Sequence, residues 1–168
     1  MEKLMPEKYR KGALRVLKRT LAILRKKEFI RNRQAILVDR DGNGHCTPDP
    51  YEWDWKVFRT AKAVNVSGAL WLAYGYRYAC SERLNLAYWY AAFALWYFRP
   101  GKGMRCGFLR EWFNTADGIR EFERKGLRHS PDIIYGALAH WNHAHVKAKR
   151  TAVRWVWNTI RALEKQTA

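Results

Sequence analysis

Asp39, Asp41 and Asn43 alternate through Asp39-Arg40-Asp41-Gly42-Asn43-Gly44, which sets oxygen ligands at positions one, three and five of an EF-hand-like loop, with glycine at six. The second half of that loop does not follow. Pro50 stands at position twelve, where a bidentate glutamate would close a calcium shell, and Glu52 comes two residues late. The same letters are strong turn formers, so the spacing favours a tight turn over a calcium site. Histidines gather late, as His129, His140, His143 and His145. His140 and His143 lie at i, i+3 and can share a helical face, but HExxH spacing and a nearby carboxylate are both lacking. They read as surface or helix-end histidines beside Trp141 and Asn142. The carboxylate pairs Glu52/Asp54 and Glu121/Glu123 stand at i, i+2 and face apart on a helix. No nucleophile elbow or Walker loop is present, and no GxGxxG follows a strand; Gly101-Lys102-Gly103 lacks the flanking strand and helix of a phosphate loop. Cys46, Cys80 and Cys106 are widely separated and odd in number, which points to neither a disulfide framework nor a zinc knuckle. These residues assign no catalytic group, metal or cofactor, and the chain reads as a non-enzyme.

The cations are a different matter. Lys+Arg number 32 against 15 Asp+Glu, a formal charge of +17. A field of that size concentrates anions and speeds encounter with polyanions, so nucleic acid, an acidic protein and an anionic membrane face are the partner classes to separate. Basicity as a mere solubility trait is the plain alternative. Lys11, Arg15, Lys18 and Arg25 follow helical spacing beside the stripe Leu14, Leu17, Leu21 and Leu24, displaced by one residue, or ~100° around the axis. Lys147, Arg150, Arg154, Arg161 and Lys165 do the same beside Val153, Val156, Ile160 and Leu163. Lys11, Arg15, Lys18, Arg25, Lys147, Arg150, Arg154 and Arg161 are therefore the candidate nucleic-acid contacts. Trp155 and Trp157, set among those arginines, are candidates for stacking on bases. The remaining aromatics Trp71, Tyr88, Trp89, Trp96 and Tyr97 lie in apolar stretches and read as core.

A chain of 168 residues suits one domain. Its first residues carry no apolar signal region, which with the unpaired cysteines leads to an expected cytoplasmic setting. Two apolar stretches, Val64 to Tyr76 and Leu84 to Phe98, fall short of the ~20 residues of a membrane span and read as buried helices.

The elements that would carry these residues follow from periodicity and capping. An amphipathic helix is expected over Pro6 to Lys27, then a β-favouring run and turn near residues 35–47, forming a small hairpin or an extended crossover, the only strand-like part of the chain. Asp49-Pro50-Tyr51-Glu52 announces a helix running through Trp53, Val57, Ala61 and Val64. Ser67-Gly68 interrupts it before an apolar helix over Ala69 to Ala79. Ser81 caps another that ends at Arg99-Pro100-Gly101, and 101–107 is a loop. A helix through Ile119 and Phe122, a start at Ser130-Pro131, and a final helix over about Thr151 to Lys165 complete the chain.

Several of these letters together resemble domain of unknown function 6197, a family of small proteins from bacteria and their phages. Members have an opening helix, a D-x-x-G turn, a proline-containing lead into a helix, a G-A-L helix, and W-N-D before a Thr-led last helix. The corresponding residues are Gln34 through Gly42, Pro48 and Pro50, Gly68-Ala69-Leu70, Trp141-Asn142 and Thr151-Ala152-Val153. His143 stands where the family tends to Asp, Arg154 replaces an acidic residue, and Tyr88 to Phe98 is more aromatic. The family has no known activity, so the resemblance implies a fold and a phage or mobile-element setting. The combined expectation is a mainly α, single-domain bundle of about six helices around an aromatic-rich core. Its expected role is a non-catalytic basic protein that engages nucleic acid or a nucleoprotein complex. An adaptor or anti-defence inhibitor binding an acidic protein surface is the alternative, and a small enzyme using the late histidine cluster is the third.

Overall fold

Leucine spacing builds the first helix, α1, over Glu7–Lys26. Its buried face is Ala13, Val16, Leu17, Thr20, Leu21 and Leu24, with Leu14 half-buried at the margin. Glu7 in the first turn and Arg25 and Lys26 in the last complement the helix dipole. A computed structural model describes this helix within residues 5, 7–31, 35–45, 59–74, 82–100, 138, 142–143 and 145–166. The expected helix starts at Asp49, Ser81 and Ser130, the 101–107 loop, the three cysteines, His129, His140 and Trp141 lie outside the described residues.

Behind α1 comes a small mixed sheet of two-residue strands: β1 Glu28–Phe29, β2 Leu37–Val38, β3 Gly44–His45 and β4 Ala63–Val64, in the order β1-β4-β2-β3. β2 and β3 form an antiparallel hairpin, which decides between the hairpin and the extended segment expected near 35–47. The strands β1 and β4 correct the expectation that this hairpin is the only strand-like part. β4 pairs parallel to β1 and antiparallel to β2, and so joins the chain's first excursion to its return. Val64, expected inside a helix continuing from Asp49, is instead in β4. The reason is Asn65. Its Oδ1 accepts the Gly68 N–H at 3.0 Å and its carbonyl accepts the Ala69 N–H at 2.9 Å, so the helix is capped and started there. The resulting helix α2, Val66–Tyr74, carries Ser67 and Gly68 in its first turn, not at a break between two helices.

Helix α3, Glu82–Tyr97, and helix α4, Lys149–Lys165, complete the four helices of the described residues, where about six were expected for the whole chain. α4 begins two residues before Thr151. Its cap position is Ala148, in extended conformation without a side-chain hydrogen bond. None of the described helices is long and apolar enough to cross a membrane.

α1 lies at the centre of the bundle, against α2, α3 and α4. Tyr9 stacks on Tyr90 with ring centroids 4.8 Å apart and an interplanar angle of 16°, which ties α1 to α3. Trp155 is buried in α4 and its indole N–H donates to the Leu95 carbonyl of α3 at 2.9 Å. Two glycines permit approaches that no other residue would. A Cβ on Gly68 would stand 2.2 Å from the Ile36 carbonyl oxygen, so α2 sits directly on the backbone of the hairpin. A Cβ on Gly12 would stand 2.8 Å from the Ala87 Cβ, which marks the close crossing of α1 and α3.

Two expectations follow. Gly68→Ala confronts a backbone atom that cannot swing aside and should cost roughly 3 kcal/mol or more, read as a fall in chemical denaturation midpoint. Gly12→Ala gains up to about 1 kcal/mol of helix propensity but overpacks the crossing by about 1–3 kcal/mol. It should therefore be net destabilising, and adding Ala87→Gly should recover more stability than the two single effects sum to.

Candidate nucleic-acid interface

The two helices that carry the cationic stripes, α1 and α4, pack antiparallel, and the contacts at both ends fix this. Near the start of α1, the Arg10 guanidinium donates to the Gln166 carbonyl just past the end of α4, at 2.9 Å. At the start of α4, Lys149 Nζ donates to the Arg25 carbonyl at 3.0 Å and to the Lys27 carbonyl at 2.7 Å, at the end of α1. Each helix thus supplies a cation from its first turns to the open carbonyls at the C-terminus of the other. That is where the orphan acceptors and the negative end of the dipole lie. Arg10 is buried, with only 4% of its surface exposed, and Glu7 Oε1 at 3.3 Å supplies a partial counter-charge. Both cations are structural; the sequence reading did not single out either. A signal for them existed only in pairwise form, as a basic residue early in each of two helices.

With the register set, the outer faces come together. Lys11, Arg15, Lys18, Ala22 and Arg25 recur at i, i+4, i+7, i+11 and i+14 along one side of α1, and all are exposed. Arg150, Arg154, Trp157 and Arg161 recur at i, i+4, i+7 and i+11 along one side of α4, and all are exposed as well. Two contacts join the stripes across the seam. Lys18 Nζ meets Glu164 Oε1 at 2.7 Å, and the Arg25 guanidinium lies 6.0 Å from the centre of the Trp157 ring. The start of α1 therefore lies close to the end of α4, which the sequence leaves open, and the stripes form one face. Lys147, two residues ahead of α4, is exposed as well. Lys11, Leu14, Arg15, Lys18, Arg19 and Ala22 line a shallow concavity on the α1 side. Lys18 is partly neutralised by Glu164, an exposed pair that contributes little to stability.

Comparison with protein-family models, curated proteins and solved structures gives no match. The chemistry of this face carries the functional reading.

The stacking candidates separate here. Trp155 is 1% exposed and hydrogen-bonded to α3, so it is a core residue and a correction to its place among the stacking candidates. Trp157 is 44% exposed and stands within the cationic face. Side-chain spacing distinguishes them only once the buried side of α4 is known.

The other sequence candidates among the described residues have surroundings of their own. In the hairpin turn, Asp39 Oδ1 accepts the backbone N–H groups of Asp41 and Asn43, each at 2.9 Å. Its Oδ2 accepts from the Asn43 amide at 3.3 Å and lies 2.8 Å from His45 Nε2. Gly42, with φ of +92°, supplies the left-handed residue that such a turn needs. Both carboxylate oxygens are thus occupied within the turn. The hydrogen bond to His45, helped by those from Asn43 and Asp41, holds the Asp39 carboxyl down at about 2. His143 approaches Asn65, whose orientation is fixed because Oδ1 accepts from Gly68 and Nδ2 donates to the Ala35 carbonyl at 3.2 Å. The Asn65 amide therefore donates to His143 Nε2 at 3.1 Å, which leaves the ring proton on Nδ1. His145 is exposed. Among the described residues no group of three or more His, Cys, Asp or Glu side chains could hold a metal ion.

Asp39 generates an acid-stability prediction. Its folded value lies below the ordinary aspartate value of about 3.9, so its contribution is present above that pH and is lost as pH falls toward 2. Thermal melts between about pH 4 and pH 2 should show a steeper fall in Tm for the wild type than for Asp39→Asn.

Proposed function

We propose that the protein is a non-catalytic binding protein whose α1–α4 face engages nucleic acid or a nucleoprotein complex. The observation that carries this reading is the antiparallel docking of α1 and α4, which gathers separately encoded basic stripes into one surface. A chain with a formal charge of +17 attracts any polyanion, but a diffuse charge would not require the cations to align. Here the alignment along α1 extends roughly 20 Å, from Lys11 to Arg25, at 1.5 Å per helical residue. Arginine dominates the α4 side, where Arg150, Arg154 and Arg161 offer planar forks suited to phosphate oxygens. Binding would be driven by counterion release, so log affinity falls linearly with log salt, by about 0.9 for each neutralised duplex phosphate.

Charge reversal tests the reading. Arg15→Glu/Lys18→Glu and Arg154→Glu/Arg161→Glu should each weaken binding of DNA or RNA by an order of magnitude or more and reduce the salt slope by about 1–2. Because these side chains are exposed, melting temperatures should stay near that of the wild type. Glu164→Gln, which frees Lys18, should tighten binding. If the wild type binds no nucleic acid at low salt, or neither double variant changes binding, the reading fails. An acidic protein surface would then take the place of nucleic acid as the partner.

A further inference from the structure

Resting on that reading, we infer that the preferred ligand of the α1–α4 face is a single strand, with an unpaired base stacked on Trp157. The first ground is the exposure of Trp157. Only Tyr97 and Trp157 are large exposed hydrophobics among the described residues, and Trp157 is the one inside the cationic face. A tryptophan held half in water among arginines has surface to offer a planar apolar partner.

Its surroundings supply the second ground. Arg150, Arg154 and Arg161 share the Trp157 side of α4, and Arg25 reaches the ring from α1. A base lying on the indole would therefore have guanidinium groups on several sides for its flanking phosphates. This combination of a cationic track and an aromatic platform is what sequence-tolerant single-strand binders use. Trp155, about 200° around the helix axis, is buried against α3, so the platform is a single ring and not a pair.

The third ground is shape. A duplex major groove is about 12 Å wide and admits one helix, whose own diameter is about 10–12 Å. Here two antiparallel helices lie side by side with their apolar faces buried together in the core, so neither projects alone. The bases of a duplex are also already stacked on each other, and offering one to Trp157 would require it to be unstacked. An unpaired strand meets neither obstacle, because its phosphates follow the stripes while a base turns onto the ring.

The experiment uses fluorescence anisotropy with a labelled oligothymidylate of about 20 nucleotides and a labelled duplex of equal length, at low and moderate salt. Wild type should bind the single strand more tightly than the duplex, with quenching of tryptophan emission. Trp157→Ala should weaken single-strand binding by about tenfold, while leaving the salt slope and duplex affinity unchanged, because no phosphate contact is lost. Trp157→Phe should restore most of the affinity, and melting temperatures should confirm that both variants fold. A tighter complex with the duplex, or a Trp157→Ala variant that weakens both ligands equally or neither, overturns the single-strand inference. In those cases continued sensitivity to Arg154→Glu/Arg161→Glu leaves the broader nucleic-acid reading standing. Absence of binding to either oligonucleotide at low salt defeats both.

Discussion

Arg10 and Lys149 hold α1 and α4 in register by reaching in opposite directions, each to the carbonyls that close the partner helix. Helix C-termini leave acceptors unsatisfied and carry partial negative charge, and an antiparallel pair places each such end beside the other helix's start. A sliding of either helix by one turn would move these donors about 5 Å from their acceptors and leave the buried Arg10 without them. Leu17, Leu21 and Leu24 on one helix and Val156, Ile160 and Leu163 on the other are buried in one apolar core, but apolar contact alone is tolerant of such slips. The cation-to-carbonyl bonds give the pair its single arrangement.

Much of the remaining structure takes its place around that pair. α3 crosses α1 closely at Gly12 and Ala87, and Trp155 of α4 anchors to the Leu95 carbonyl, so the three helices enclose one apolar interior. The sheet is small, and its strands are too short to be stable alone. It is held by what it touches. α2 rests on the Ile36 carbonyl through Gly68, Asn65 caps α2 while bonding the Ala35 carbonyl and His143, and Lys27 donates to the Ala61 carbonyl from the end of α1. Burial around that contact draws the Lys27 ammonium below the ordinary lysine value.

The same residue types therefore serve two ends. Arg10, Lys27 and Lys149 turn inward and satisfy backbone carbonyls. Lys11, Arg15, Arg25, Arg150, Arg154 and Arg161 stay in water on one side of the molecule. Like charges gathered on one surface repel, which costs stability, and Glu164 offsets only part of this near Lys18. Concentrating cations in that way has a clear physical use when a polyanion is the ligand, since phosphate charge removes the repulsion on binding.

The amphipathic helices at both ends were legible in the residues alone, because Leu14, Leu17, Leu21 and Leu24, and Val153, Val156, Ile160 and Leu163, repeat with helical period over several turns. So was the hairpin turn at Asp39–Gly44, whose Asp, Asn and Gly residues bond within a few positions of themselves. Local chemistry decides such features, and local chemistry is written in order along the chain. The strands β1 and β4 were not legible, since two residues display no period and their pairing joins positions far apart in sequence. Nor was the division of Trp155 from Trp157, or of Arg10 and Lys149 from the exposed cations. Each of those assignments depends on which side of a helix meets its neighbour and at what register. Packing of α1 against α4 decided them, through contacts between residues more than a hundred positions apart.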